Sequence, residues 1–320
     1  MNTPMKFGGF VVGLALVFGA AAAVGSAVGP LQAASAENPA GHSEMNPEQM
    51  TAAGGTAAAD IPGGLMVSQN GYTLALRPDA LPAGASTRLV FRVLGPDGRP
   101  VTSYDRTHDK ELHLIAVRRD MTGFQHVHPE LAADGTWSAP LALTSGEWRV
   151  FADFAPAGSN GAAITLGADL SVAGDYAPRP LPQPSRTAQV DGYTVTLSGA
   201  LVPGKGSPVT LTVSKGGVPV TDLQPYLAAY GHLVALRNGD LAYLHVHPAG
   251  APGDGRTPAG PQIQFVAEVP SAGNYRLFLD FRHGDVVHTA EFTAAAAGAD
   301  APGEPAGGHG PDAGTDGHGG

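Results

Sequence analysis

Two stretches of this chain carry the same arrangement of imidazoles. Residues 111–129 read ELHLIAVRRDMTGFQHVHP and residues 231–248 read GHLVALRNGDLAYLHVHP. In each, a first histidine stands 13 residues before a His-Val-His-Pro: His113 before His126 and His128, and His232 before His245 and His247. Neutral imidazole is a ligand for Cu, Zn and Ni, and a His-X-His pair on one strand face can cap an ion together with a third ring from across the ladder. Three protonated rings so placed would repel one another, so the pattern favours neutral rings or a cation among them. These six histidines are the candidate metal ligands, and no residue stands out as catalytic or as a site for an organic cofactor. A His-only donor set favours Cu(II), with Zn(II) as the alternative. The absence of cysteine and of organised methionines argues against a dedicated Cu(I) site.

The elements that position these rings are readable in outline. Asn238-Gly239 is a strong two-residue hairpin signal, because both central residues of the favoured turn take positive φ. Counting outward from it sets Leu236 against Leu241, Val234 against Tyr243 and His232 against His245, with His247 on the same face. The first copy has Arg119-Asp120-Met121-Thr122-Gly123 at this point. A four-residue loop over 120–123 would shift the register, whereas the shared spacing argues that His113 still faces His126. Asp153 and Asp280, at matching places in FADF and FLDF, read as ligands, as acceptors for ring N–H groups, or as solvated residues. His283 and His288 in FRHGDVVHTAEF have no counterpart in the first copy; they either enlarge the second site or lie on the surface. His42, Met45, Met50, His309 and His318 form loose sets able to scavenge a metal.

The surrounding chain is built of short apolar runs broken by Gly, Pro, Asn and Asp. GYTLALRP, TRLVFRVLG, ELHLIAVRR, EWRVFADF and AITLGADLSV have strand length, β-branched or aromatic residues and frequent alternation. No stretch of this region has a convincing helical period. The order of signals then repeats: NGYT (70–73) returns as DGYT (191–194), PVT (100–102) as PVT (219–221), and GEWRVFADF (146–154) as GNYRLFLDF (273–281). This is an internal duplication. The expected fold is all-β: two tandem immunoglobulin-like antiparallel β-sandwiches at 65–175 and 187–295, a small barrel being the alternative, joined by a proline-dense linker at 176–186. Residues 37–64 read as a flexible stalk and 296–320 as a disordered His/Gly-rich tail.

The uncharged run from Phe7 to Gly29 follows Lys6 and precedes Ala34-Ser35-Ala36, so residues 1–36 read either as a cleaved signal peptide or as a single-pass membrane anchor. Both send the rest of the chain outside the cytoplasm, secreted or at the cell membrane. A formal net charge of −10 gives phosphate backbones nothing to meet, which argues against nucleic acid as a partner.

The leader, the doubled GYT…PVT…H…HVHP…DF pattern and the His-bearing tail resemble exported actinobacterial tandem β-sandwich proteins, related to the YtkA-like and CopC-like copper-handling domains. The resemblance covers roughly residues 65–295. It implies immunoglobulin-like sandwiches outside the membrane and a part in copper handling, with an exported metal-handling protein as an expected partner. The chain lacks the N-terminal histidine ligand and the Met-rich loop of the copper-resistance sandwiches, which leaves the metal's identity open. The leading expectation is an exported protein that binds or buffers a transition metal. The alternative is a structural or interaction module with packed histidines. An enzyme is not expected: His126-X-His128 with Glu130 is cupin-like, but the second copy lacks the acid, and no phosphate loop or nucleophile elbow occurs.

Overall fold

The computed structural model describes residues 61–297, apart from Asn160, His245 and the side chain of His247. The leader, nearly all of the stalk, the tail, and with them His42, Met45, Met50, His309 and His318, lie outside the described residues. Among the described residues no helix is long and apolar enough to cross a membrane.

The first sandwich comprises β1 (Ser68–Gln69), β2 (Tyr72–Leu76), β3 (Ala80–Leu81), β4 (Gly84–Leu94), β5 (Tyr104–Asp105), β6 (Leu112–Arg118), β7 (Gln125–Val127), β8 (Glu130–Leu131), β9 (Thr136–Leu143), β10 (Gly146–Pro156) and β11 (Ile164–Val172). The second comprises β12 (Thr187–Val190), β13 (Tyr193–Ser198), β14 (Gly206–Lys215), β15 (Val218–Pro219), β16 (Gly231–Arg237), β17 (Tyr243–Leu244), β18 (Val246–Pro248), β19 (Gln262–Glu268), β20 (Gly273–His283) and β21 (Val286–Ala296). Each copy stacks an outer sheet on an inner one. The outer sheets run β1-β2-β4-β9-β8 and β12-β13-β14-β19-β18; the inner sheets run β3-β11-β10-β6-β7 and β17-β16-β20-β21. Pairing is antiparallel except for β3, which lies parallel to β11 at the sheet edge. This is the expected all-β, immunoglobulin-like architecture.

The outer strands alternate as half-buried strands should. In β4, Leu89, Phe91 and Val93 point into the core, and in β9 so do Trp137, Ala139, Leu141 and Leu143. The inner strands β6, β10, β16 and β20 are instead buried on both faces over most of their length. A strand covered on both sides needs a second layer to cover it, and here that layer is the other copy. Ile115, Val117, Met121 and Phe151 of the first sandwich pack with Val234, Leu236, Leu241 and Phe278 of the second in a third apolar cluster between the two cores. The contact is two-fold in character. Phe124 stacks on Phe278 of the other copy with ring centres 4.0 Å apart, and Tyr243, the counterpart of Phe124, lies 5.7 Å from Phe151, the counterpart of Phe278.

The loops after β6 and β16 belong to this layer, and they correct the hairpin read from Asn238-Gly239. The observed register pairs Leu236 with Tyr243 and Ala235 with Leu244, two residues away from the expected Leu236–Leu241 and Val234–Tyr243 partners. Arg237 N donates to Ala242 O, Leu241 N donates to Arg237 O, and Asp240 accepts from Arg237 Nε and from Ala242 N. Leu241 adopts φ 60° and is 1% exposed. In the first copy Met121 does the same at φ 62°, over an Asp120 that binds Arg118 and Thr122. A left-handed non-glycine residue costs about 1–2 kcal/mol, and burying a Leu or Met side chain contributes about 1.5–3 kcal/mol. The interdomain layer therefore decides the loop.

The chain also enters the first sandwich through this layer. Gly63 O accepts from Tyr243 N of the second copy, and Gly64 N donates to Thr165 O of the first. The Arg149 guanidinium holds the carbonyls of Gly64 and Leu65. Gly64 sits at φ 72°, and a Cβ there would meet the Phe151 ring at 2.4 Å, so only glycine fits.

Phe278 has no exposed surface. Phe278→Ala is expected to cost about 3–5 kcal/mol of unfolding free energy, while Val218→Ala on the exposed β15 changes it by no more than about 0.5 kcal/mol. Urea denaturation of both variants measures the difference.

Candidate metal centre

The row that carries the histidines is the same in both copies. In the first, His113 on β6 stands beside Asp153 on β10, which stands beside Thr165 on β11. In the second, His232, Asp280 and Thr289 occupy the same row on β16, β20 and β21. Each threonine hydroxyl donates to its aspartate, Thr165 to Asp153 at 3.0 Å and Thr289 to Asp280 at 2.6 Å. Both rows lie on the faces that the two sandwiches turn toward each other, at one end of the apolar layer.

β7 brings the other two rings of the first copy. His126 is paired with Ile115 and Val127 with Leu114, so His126 and His128 share the face of His113 while Val127 packs against the core. His113 thus stands diagonally from His126 rather than directly opposite, a register set by the Met121 loop. His113, His126 and His128 each present a ring nitrogen within 4.8 Å of the others. Their ring centres are 5.3, 5.1 and 5.1 Å apart. Imidazoles bound to one ion at about 2.0–2.1 Å have ring centres about 3.2 Å from it and, at tetrahedral angles, about 5 Å from one another.

The hydrogen bonds assign the ring protons. His113 Nε2 lies 3.0 Å from Thr107 O; a carbonyl only accepts, so Nε2 carries the proton and Nδ1 of the neutral ring carries the lone pair. His126 Nδ1 lies 2.8 Å from Asp280 Oδ2 of the second sandwich and donates to it, so that a neutral ring has its lone pair on Nε2. His113 Nδ1 and His126 Nε2 face each other at 3.1 Å. Two lone pairs that close are tolerated only with a proton on one nitrogen or a cation between them. An ion about 2.05 Å from both would subtend about 100°, an angle compatible with either tetragonal or tetrahedral coordination. His128 Nε2 is buried with no hydrogen-bond partner. His232 Nε2 donates to Leu227 O at 2.8 Å, so its Nδ1 also carries a lone pair. A cavity of about 40 Å³ lies beside His113 and His126, lined also by His108, Asp153, His232 and Tyr243, while His128 is not part of its lining. That is enough room for an ion or a water.

Electrostatics agree with neutral rings. Burial, reinforced by the neighbouring imidazoles and opposed by the bond to Thr107, pulls His113 down to about 3. Burial and the nearby His126 and Lys110 bring His128 to about 4, and burial with His108 and His126 brings His232 to about 4. Tyr226, edge-on to His128 and His232, is pushed up to about 12 by burial and then by the Asp280 charge. Asp280 and His126 are each only 4% exposed along the side chain, and no Lys or Arg among the described residues pairs with this carboxylate.

Of the six predicted ligands, His113, His126 and His128 come together as a triad, and His232 of the second sandwich lies near it, its ring centre 6.2 Å from those of His113 and His126. His245 lies outside the described residues. His247 is on β18, which leaves the inner sheet and pairs with β19 of the outer one, opposite Val266. The observed register of β16 and β17 does not set His232 opposite position 245, so the hairpin triad of the second copy is not formed in the way its turn suggested. His283 and His288 are elsewhere, bonded to Tyr193 and Asp222 and to Asp191 respectively. His108 was not anticipated. It sits at φ 50° in a tight turn, Thr107 to Lys110, that also presents Thr107 O, and its ring centre is 5.1 Å from that of His232. Only another histidine five residues upstream of His113 marked it. A cavity of about 780 Å³ is an open groove whose lining carries Lys205 and Glu268 as its charged residues.

The family described as a domain of unknown function (DUF8832) matches residues 67–173 and again residues 188–298, and the chain belongs to this family. No curated protein matches it. Solved structures similar to it include the Escherichia coli adhesin FdeC (17% identity, 72% of this chain and 65% of that chain, TM-score 0.25). Others are the Yersinia pseudotuberculosis adhesin InvE (15%, 72% and 59%, TM-score 0.23) and a putative membrane anchored protein from Corynebacterium diphtheriae (12%, 74% and 61%, TM-score 0.22). The chain spans less than two thirds of each of those chains.

A histidine whose folded pKa lies below its unfolded value of about 6.5 takes up its proton on unfolding at any pH between the two. The unfolded state then holds more protons, so stability rises with pH through that window and levels off above it. Metal-free protein is therefore expected to lose stability as pH falls from about 6.5 toward 4, by up to roughly 1.4 kcal/mol per pH unit for each fully titrating ring. Urea melts across that range measure the slope; stability that rose on acidification would contradict buried neutral rings.

Proposed function

We propose that this two-copy member of the family is an exported metal-binding protein that holds Cu(II), with Zn(II) as the alternative, through His113, His126 and His128. The observation that carries this reading is the nitrogen geometry. His113 Nδ1 and His126 Nε2 face each other at 3.1 Å, and His128 Nε2 is buried with no partner. A carboxylate that orients a ligating histidine through its other ring nitrogen is the usual support of an imidazole metal site, and Asp280 stands in that relation to His126. Copper is preferred because nitrogen donors bind it more tightly than the other divalent first-row ions. Export rests on the hydrophobic run of residues 7–29 and the small-residue Ala34-Ser35-Ala36 beyond it, and the resemblance to copper-handling sandwiches points the same way. The residues of the site would bind and orient an ion, and the activity proposed is binding or buffering.

The competing reading is an extracytoplasmic interaction module with packed histidines. It is favoured by the bonds of His113 and His232 to backbone carbonyls, which would also tie rings in place without a metal. It offers no partner for His128 Nε2. Thermal unfolding separates the two readings, since a ligand bound only by the native state raises its melting point, by about 2.7 kcal/mol of stability at a hundredfold excess over Kd. Cu(II) or Zn(II) is expected to raise the melting temperature of the wild-type protein and to leave the His113→Ala/His126→Ala/His128→Ala variant unshifted. An equal shift in that variant sinks the metal reading.

A further inference from the structure

We infer that the ion is a clamp between the two sandwiches: His232 of the second copy enters its coordination sphere, and Asp280 of the second copy fixes His126, so metal affinity and interdomain docking are one linked equilibrium. The inference rests on the metal reading above and adds to it the state that the metal controls.

The triad belongs to the first sandwich, yet it is incomplete without the second. The acceptor that sets the proton of His126 on Nδ1, and so presents its Nε2 lone pair, is Asp280 on β20. The triad leaves a coordination position open, and closed sites usually take a fourth protein ligand. His232 lines the cavity that His113 and His126 also line. Its Nε2 is committed to Leu227 O, which reserves Nδ1. Its ring centre is 6.2 Å from those of both His113 and His126, about 1 Å beyond the separation that the three triad rings keep among themselves. Closing that gap takes a movement of about 1 Å by a ring on the inner strand of the second sandwich. The apolar layer of Ile115, Val117, Val234 and Leu236 runs directly on from these rows along β6 and β16, so a pull at the metal end tightens the same contact. Linkage is reciprocal: whatever factor docking adds to metal affinity, the metal adds to docking.

The test uses the full chain and four variants: His232→Ala, Asp280→Asn, Leu241→Ala and the triad variant. Asp280→Asn keeps shape and a carbonyl acceptor, so it probes the contact with least risk to folding. Leu241 belongs to the interdomain layer and does not line the cavity. Titration with Zn(II), and separately with Cu(II), is expected to show about 10–100-fold weaker binding for Asp280→Asn, the usual loss when a ligand's orienting partner is changed. His232→Ala is expected to weaken binding by at least tenfold and Leu241→Ala by several-fold. Metal should also slow hydrogen exchange in residues 112–118 and 231–237 together, in the wild type more than in Asp280→Asn. If the wild type binds metal, the triad variant does not, and His232→Ala, Asp280→Asn and Leu241→Ala all keep wild-type affinity, the clamp is overturned and the triad site stands. If the wild type binds neither ion, both readings fall.

Discussion

The hydrogen bond between His126 and Asp280 joins residues from different copies of a duplicated domain, and much of the molecule is arranged so that it can form. A carboxylate taken almost wholly out of water is costly unless a cation or several donors meet it. Asp280 has the Thr289 hydroxyl on one oxygen and the His126 ring on the other, and neither comes from the loops at the surface. Both are delivered by strand registers. β20 and β21 set Thr289 beside Asp280, and β6 with β7 turns His126 out of its own sandwich. If the sandwiches separated, Asp280 would lose the ring N–H that meets its Oδ2, and His126 would lose the acceptor that decides which of its nitrogens is available.

Docking depends in turn on the inner strands being apolar on both faces. Within a lone sandwich, Ile115, Val117, Val234 and Leu236 would be an exposed hydrophobic stripe; here they form a dry layer with Phe124, Phe151, Phe278 and Tyr243. The two copies meet as the subunits of a two-fold dimer meet, with the same patch on both sides, so that each aromatic pair has a counterpart. The copies have nevertheless diverged around that contact. Arg149 reaches the carbonyls of Gly64 and Leu65 past Gly167, whose missing side chain leaves room for the entering segment. At the same place in the second copy Phe278 is paired with Glu291 rather than a glycine, and Arg276 turns to that glutamate, leaving its Nε buried without a partner. An incoming strand is admitted on one side and excluded on the other.

Which parts of this were legible in the sequence follows from the range of the interactions. Alternation in TRLVFRVLG reports a face buried against the same domain, and it was readable. So was the duplication, and with it the coincidence of His113 and His232 in matching rows. The turn was misread because Asn238-Gly239 is a local signal, whereas Leu241 is drawn into a left-handed conformation by a layer that exists only when the other copy is present. His113 and Asp280 carry no mark of belonging to one site, since the strands that bring them together are separated by the linker and most of the second domain. His108 was missed for a similar reason: its position comes from a tight turn whose central residues, His108 and Asp109, do not advertise positive φ as glycine would. The near-unbroken apolar run LIAV in β6 was the one available hint that this strand is covered on both sides.

The composition of the interface bears on why the histidines are there. Docking alone would be served as well by apolar side chains of similar volume, which need no partners and pack without desolvation cost. The end of the layer instead holds several imidazoles, a buried carboxylate and a nitrogen without a partner, and burial drives three of the rings far from protonation. Unpaired buried polar atoms of this kind work against stability, by about 1–3 kcal/mol each when nothing satisfies them. The Phe124–Phe278 end of the contact has no imidazole cluster and no buried carboxylate, although Arg276, over the Phe278 ring, leaves its own Nε without a partner. The polar end therefore weakens the metal-free molecule at the place where the two copies meet. The atom that does so is His128 Nε2, on one of three imidazoles that each present a nitrogen within 4.8 Å of the others, so under the metal reading proposed above the deficit is one that a cation would remove.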